Sequence, residues 1–249
     1  MFERRNIANP WEGKMDPFRI IGNVYFVGTF QASCHLIDTG EGLILIDTGY
    51  SDALYLVVCS IYELGFNPKD IKYIINTHWH WDHTEATRAM VDLSGAKTLL
   101  GRNDAAKAKQ YFDADILIDD GDTLSLGNTT VSFMETPGHT KGTVSLFFNT
   151  EDNGKIYRVG MFGGAGVNTL ARGHFDYDGC REDYRNSLNR LQKETVDVFI
   201  GNHVWNNDTA VKGEILLKTG VNKFIDSKLW HDFLDFCEKR LDKVISEDN

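Results

Sequence analysis

Residues 78–83 bring together three imidazoles and a carboxylate, His78, His80, Asp82 and His83, with Trp79 and Trp81 between them. Packing alone gives no reason for that density, because histidine is a middling helix former and usually sits partly exposed. Imidazole and carboxylate are the donors of open zinc sites, which leave room for water where four thiolates would close the metal off. The segment therefore reads as a metal site. A helix cap explains less of it. Asp82 and Glu85 have the spacing of a capping box that opens a helix through Ala86, Ala89 and Met90, which accounts for one carboxylate and no histidine.

The cluster needs elements to hold it. Ile71 to Asn76 has the β-branched and aromatic content of a buried strand, so the cluster begins where that strand runs out. Continued in extended form, the chain would set His78, His80 and Asp82 on one side and the two tryptophans on the other. A dinuclear hydrolytic centre takes about six protein ligands, so distant helpers are expected. His139 follows the Pro137-Gly138 break between two expected strands. His203 follows an apolar strand ending at Gly201 and opens the polar loop Trp205-Asn206-Asn207-Asp208. His35 lies inside an expected strand, His174 in an acidic loop and His231 in the terminal helical region, and all three are assigned to structure or surface.

Around these positions the chain reads as β-rich halves each followed by helices. Residues 1–17 form an irregular arm with Phe2, Trp11 and Phe18 as anchors. Strands are expected at Ile20 to Val27, Cys34 to Asp38 and Leu43 to Asp47, the last two joined by the glycine-bearing turn Thr39 to Gly42. The near-repeat Leu36-Ile-Asp-Thr-Gly40 and Leu45-Ile-Asp-Thr-Gly49 is read as two such strands. Helices are expected at Ser51 to Leu64, Asp104 to Gln110 and Glu182 to Lys193. Further strands are expected at Lys97 to Leu100, Thr123 to Leu126, Thr130 to Glu135, Val144 to Phe148, Ile156 to Phe162 and Asp197 to Gly201. Helical packing occupies residues 212–249. The pattern implies sheets covered by helices on their outer faces, in one domain of 249 residues.

Composition excludes some partners. A formal net charge of -10 works against nucleic acid, whose affinity comes largely from basic side chains. No apolar run is long enough to cross a bilayer, and the charged start lacks a signal core, so a cytoplasmic protein is expected. The four cysteines, Cys34, Cys59, Cys180 and Cys237, form no C-x-x-C pair and read as reduced thiols.

His-x-His-x-Asp-His at residues 78–83, Thr136-Pro-Gly-His139 and the late His203 resemble the metallo-β-lactamase superfamily over most of the chain. The resemblance implies an αββα sandwich. The stretches from Tyr184 to Leu191 and from Asp197 to His203 further resemble the third, histidine-rich subclass of metallo-β-lactamases. Carried over by position, it gives one zinc to His78, His80 and His139 and a second to Asp82, His83 and His203. Many relatives place a bridging Asp where Gly163-Gly164-Ala165-Gly166 stands here, which points away from the glyoxalase-like thioesterases and lactonases. Redox relatives carry Glu at the place of His80, so the imidazole favours hydrolysis.

Two zinc ions would acidify a shared water to about neutral pH, and the hydroxide would attack a carbonyl of a small-molecule substrate, with Asp82 orienting it. The expected function is cleavage of a cyclic amide of β-lactam type. The alternatives are a cytoplasmic hydrolase of an ester, lactone or thioester, and a metal-binding protein without catalysis. Tyr184, Asn206 and Asn207 flank the expected site as oxyanion-donor candidates, although plain loop and helix-surface roles are the favoured reading for them.

Overall fold

The computed structural model describes residues 9–248, so the expected anchor Phe2 lies outside it. The first sheet has seven strands: β1 (Phe18–Ile21), β2 (Val24–Phe26), β3 (His35–Asp38), β4 (Leu43–Ile46), β5 (Ile71–Asn76), β6 (Lys97–Gly101) and β7 (Ile116–Ile118). Its strands lie side by side in chain order, antiparallel from β1 to β4 and parallel from β4 to β7. The crossovers that parallel pairing demands carry α1 (Leu54–Glu63), α2 (Trp81–Thr84), α3 (Thr87–Ser94) and α4 (Ala105–Ala108).

The second sheet comprises β8 (Thr123–Leu126), β9 (Thr129–Glu135), β10 (Val144–Asp152), β11 (Lys155–Met161) and β12 (Val198–Phe199). Its spatial order is β12-β11-β10-β9-β8, antiparallel except for the β11–β12 pair. Three helices follow or interrupt it: α5 (Cys180–Leu191), α6 (Thr209–Thr219) and α7 (Lys228–Glu247).

Alternation along the strands sorts side chains into three apolar layers. Ile37, Ile44, Ile46 and Ile75 meet Val131, Phe133, Leu146, Phe148 and Met161 between the sheets. The opposite face of the first sheet packs Leu36, Leu45 and Ile74 on Val57 and Ile61 of α1 and Met90 of α3. The opposite face of the second sheet packs Phe147 and Phe199 on Tyr184 and Leu188 of α5 and Trp230 and Leu234 of α7. This is the αββα sandwich the resemblance implied. Among the described residues, no helix is long and apolar enough to cross a membrane.

Local departures have local causes. The expected strand Ile20 to Val27 is broken by Gly22, whose φ of 50° allows the turn between β1 and β2. The terminal helical region is two helices, separated where Gly220 adopts φ 72°. Strand β7 is short and half exposed, so it left little apolar signal in the sequence. In the arm, Trp11 is 64% exposed and anchors nothing, whereas Phe18 is buried and stacks on Phe26.

Candidate metal centre

The six residues singled out in the sequence come together at the edge between the sheets. His78 follows β5, whose neighbours β4 and β6 run parallel to it, so their C-terminal ends open on the same edge. His139 and His203 arrive on loops after β9 and β12. Donor atoms of His78, His80 and His139 all lie within 4.8 Å of one another, as do those of His78, Asp82 and His83. His203 Nε2 is 3.3 Å from His83 Nε2 and 3.6 Å from Asp82 Oδ2, which joins it to the second group. His35, His174 and His231 stand apart: His35 is buried against Phe26, His174 is exposed, and His231 Nδ1 faces Gln192 Oε1 at 2.8 Å.

The backbone of the cluster departs from the extended reading. His80 is the N-cap of α2, so Asp82 and His83 project from a helical turn rather than alternating along a strand. Thr84 Oγ1 fastens that turn by donating to the Trp79 and His80 carbonyls. The alternative, an Asp82–Glu85 capping box, is absent, since Glu85 instead accepts a hydrogen bond from the Ser51 amide. One reason is geometric: a side chain in the first helical turn can reach the cluster that an extended chain would have carried it past.

Partners fix which ring nitrogen each histidine presents. A backbone carbonyl can only accept, so His139 Nδ1–H donates to Gly166 O and His203 Nδ1–H donates to Gln31 O, both at 2.8 Å. Both rings therefore present Nε2 to the cluster. His83 Nδ1 lies 2.8 Å from Asp47 Oδ2 and likewise leaves Nε2 facing inward. His80 differs, with Nδ1 3.0 Å from His139 Nε2. His78 Nε2 is buried and has no hydrogen-bond partner. A buried ring nitrogen without a partner is costly, and a metal among these donors would satisfy it. The donor set fits a bound metal ion on that ground.

Electrostatics point the same way. Burial pushes the His80 and His203 imidazoles down to about 3 and His139 to about 4. Burial, then the neighbouring rings, hold His78 well below its ordinary value. These rings are neutral at physiological pH, the state a metal ligand requires. His83 behaves differently, because Asp82 and Asp47 outweigh the lowering effect of burial and raise it. Burial pushes the Asp82 carboxyl up, but the surrounding imidazoles, His83 first, hold it below the usual range.

Two carboxylates that the sequence reading passed over organise the site. Asp47 is wholly buried at the end of β4 with φ 57°, a left-handed conformation that aspartate tolerates. Besides contacting His83, it accepts from the Thr77 amide at 2.8 Å and the Thr77 hydroxyl at 2.9 Å. Asp104, also buried, accepts from the Trp79 amide, the Gly142 amide and the Thr140 hydroxyl. It thus ties the segment before His80 to the loop after His139. Burial pushes its carboxyl up to about 6, against the lowering effect of those hydrogen bonds.

The glycine loop at 163–166 is a wall rather than a ligand. Gly163 O accepts from Asn202, beside His203, and Gly166 O from His139. A Cβ at Gly166 would sit 2.7 Å from His139 Cε1, so the close approach requires glycine. Tyr184 is fully buried behind this loop and donates to Ala165 O, and Asn207 is spent on Phe199 O. Of the three oxyanion candidates only Asn206 lines the cleft, which holds about 550 Å³ and is bounded by the cluster on one part and by Phe233, Phe236 and Arg240 of α7 on another.

A family model described as the metallo-beta-lactamase superfamily matches residues 27–203. The chain belongs to that superfamily. Among solved structures it is similar to the subclass B3 metallo-beta-lactamase of Bradyrhizobium japonicum, at 28% identity and a TM-score of 0.89 over 96% of this chain and 97% of that one. It is also similar to an N-acyl homoserine lactonase of a Bacillus species, 27% identical over 152 residues, which is 49% of this chain and 60% of the lactonase. A hydroxyacylglutathione hydrolase of Hyphomonas neptunium is 30% identical over 123 residues, covering 49% of this chain and 44% of that protein. The chain thus matches 60% of the lactonase's length and 44% of the hydroxyacylglutathione hydrolase's, less than two thirds of each. The fold is that of the superfamily, and the histidine–aspartate donor groups lie where a metal ion could be held.

Proposed function

We propose that the chain is a zinc hydrolase with two ions, one held by His78, His80 and His139 and the other by Asp82, His83 and His203, and that it opens a cyclic amide of β-lactam type in a small molecule. The observation that carries the substrate class is the extent of the structural likeness. The structural likeness to the subclass B3 enzyme runs over 96% of this chain, whereas the sequence match to the lactonase covers 49% of it. The lack of a carboxylate at Gly163 to Gly166 agrees with this choice.

Bound zinc would supply acidified water and a polarised carbonyl. The residues of the chain do the rest. Asp47, Gly166 O and Gln31 O fix the tautomers of His83, His139 and His203. Asp82 lines the cleft with a carboxylate kept ionised by its neighbours, placed to orient the attacking water and take its proton. Asn206 lines the same cleft, its amide donating to Asn202 Oδ1 at 2.7 Å.

A second reading, hydrolysis of a lactone or thioester, draws on the sequence matches to the lactonase and the hydroxyacylglutathione hydrolase. Zinc-loaded protein assayed against a panel of β-lactams, N-acyl lactones and thioesters separates the two. Highest kcat/KM on β-lactams supports the first reading, and turnover confined to lactones or thioesters overturns it.

A further inference from the structure

The C-terminal helix α7 adds a charge to the cleft that neither the metal ligands nor the water chemistry uses. Among the described residues lining that cavity, Arg240 is the only one with a permanent positive charge, and Asp82 is the only carboxylate. The Arg240 guanidinium stands 5.6 Å from the centre of the Phe236 ring, which lines the same space. Among the described residues, no carboxylate pairs with it. The acidic groups nearest to it along the helix, Glu238 and Asp242, both hold Arg185.

The contrast with the other arginines is informative. Among the described residues, Arg19, Arg102, Arg158, Arg181, Arg185 and Arg190 are each ion-paired with an aspartate or glutamate, and Arg88 and Arg172, which are not, are exposed on the surface. With 36 acidic residues in the chain, a half-buried guanidinium facing a cleft without one is conspicuous. Guanidinium is planar and presents paired donors that match a carboxylate bidentately, and an aromatic face beneath it holds its orientation. The cavity is also of the size that takes a small organic ligand.

We propose that Arg240, seated on Phe236, binds a carboxylate carried by the substrate on the part held away from the scissile bond, so that the cleft selects anionic substrates over neutral ones. The proposal rests on the hydrolase reading for its turnover assay but not for its binding assay.

The test uses the zinc-loaded protein and matched acid and ester probes whose carboxylate is remote from the scissile bond: carbenicillin with the phenyl ester of its side-chain carboxylate, and an N-acyl homoserine lactone whose acyl chain ends in a carboxylate, with its methyl ester. Wild type, Arg240→Gln and Arg240→Lys are compared, with zinc content and circular dichroism confirming that each variant is folded and loaded. The acid-to-ester ratio of kcat/KM should fall about tenfold or more in Arg240→Gln, through KM rather than kcat, with partial recovery in Arg240→Lys. Calorimetry of the same pairs reads the preference independently of turnover. Wild type that binds the acids more tightly but hydrolyses no probe would overturn the hydrolase reading and leave this proposal standing. An acid-to-ester ratio unchanged by Arg240→Gln in both binding and turnover overturns it.

Discussion

Asp47 Oδ2 lies 2.8 Å from His83 Nδ1, with both side chains wholly buried. The carboxylate does more than balance charge. It selects the tautomer in which His83 Nε2 faces Asp82 and His203, and through Thr77 it fixes the residue before His78. One aspartate outside the donor groups therefore orients both halves of the centre.

Asp47→Asn is isosteric, and asparagine tolerates the positive φ, so the fold should survive. The lost charge and the altered hydrogen-bond polarity should weaken binding at the His83 half by about 10- to 100-fold. Zinc titration of metal-free protein measures this. Affinity within twofold of wild type would leave Asp47 a purely structural residue.

Asp82→Asn separates chemistry from structure at the one carboxylate among the proposed ligands. Asparagine keeps the size, and Asp82 makes no capping bond in the turn it occupies, so melting temperature should move little. Turnover should drop by orders of magnitude, with the His78, His80 and His139 group still loaded. Near-normal turnover in this variant would remove Asp82 from the mechanism.

His139→Ala and His78→Ala should abolish hydrolysis while circular dichroism stays native, because the three apolar layers hold the sandwich without the centre. His231→Ala, which loses only a contact with Gln192, should keep both metal and activity. An essential His231 beside a dispensable His139 contradicts the site drawn here.

His35 gives a pH dependence separate from the metal. Burial alone pushes its imidazole down to about 3, and neither ring nitrogen has a hydrogen-bond partner. The folded value lies below the unfolded one, so the fold favours the neutral ring. The resulting stability is complete above about pH 6.5 and is lost as pH falls towards about 3, over a range worth of order 5 kcal/mol. His35→Leu should flatten that portion of the stability curve and leave zinc content unchanged. Denaturant unfolding of metal-free wild type and variant from pH 7 to 4 decides it, and parallel curves would contradict the assignment.

The positions of the proposed ligands were legible in the sequence because imidazole and carboxylate at such density have few other uses, and because strand ends are marked by residue type. Asp47 was not legible. Asp38 and Asp47 occupy the same Leu-Ile-Asp-Thr-Gly context, yet Asp38 turns to the Gly40 amide in a hairpin while Asp47 turns inward to Thr77. Only the parallel pairing of β4 with β5, a contact 30 residues away in the chain, distinguishes them. Asp104 was hidden similarly, since its partners on the Trp79 and Gly142 segments come from different sheets' loops. The helical turn at Trp81 to Thr84 escaped because period-two alternation and a first helical turn predict different faces from the same six letters.

The account turns on two metals acting together, and the measurement closest to it is hydrolysis as a function of zinc bound to metal-free protein, followed by equilibrium dialysis and rate in one series. Two zinc ions per chain should bind, with turnover of a cyclic amide appearing as they do. Binding of less than one zinc per chain, or full loading with no hydrolysis of any amide, lactone or thioester, would contradict it.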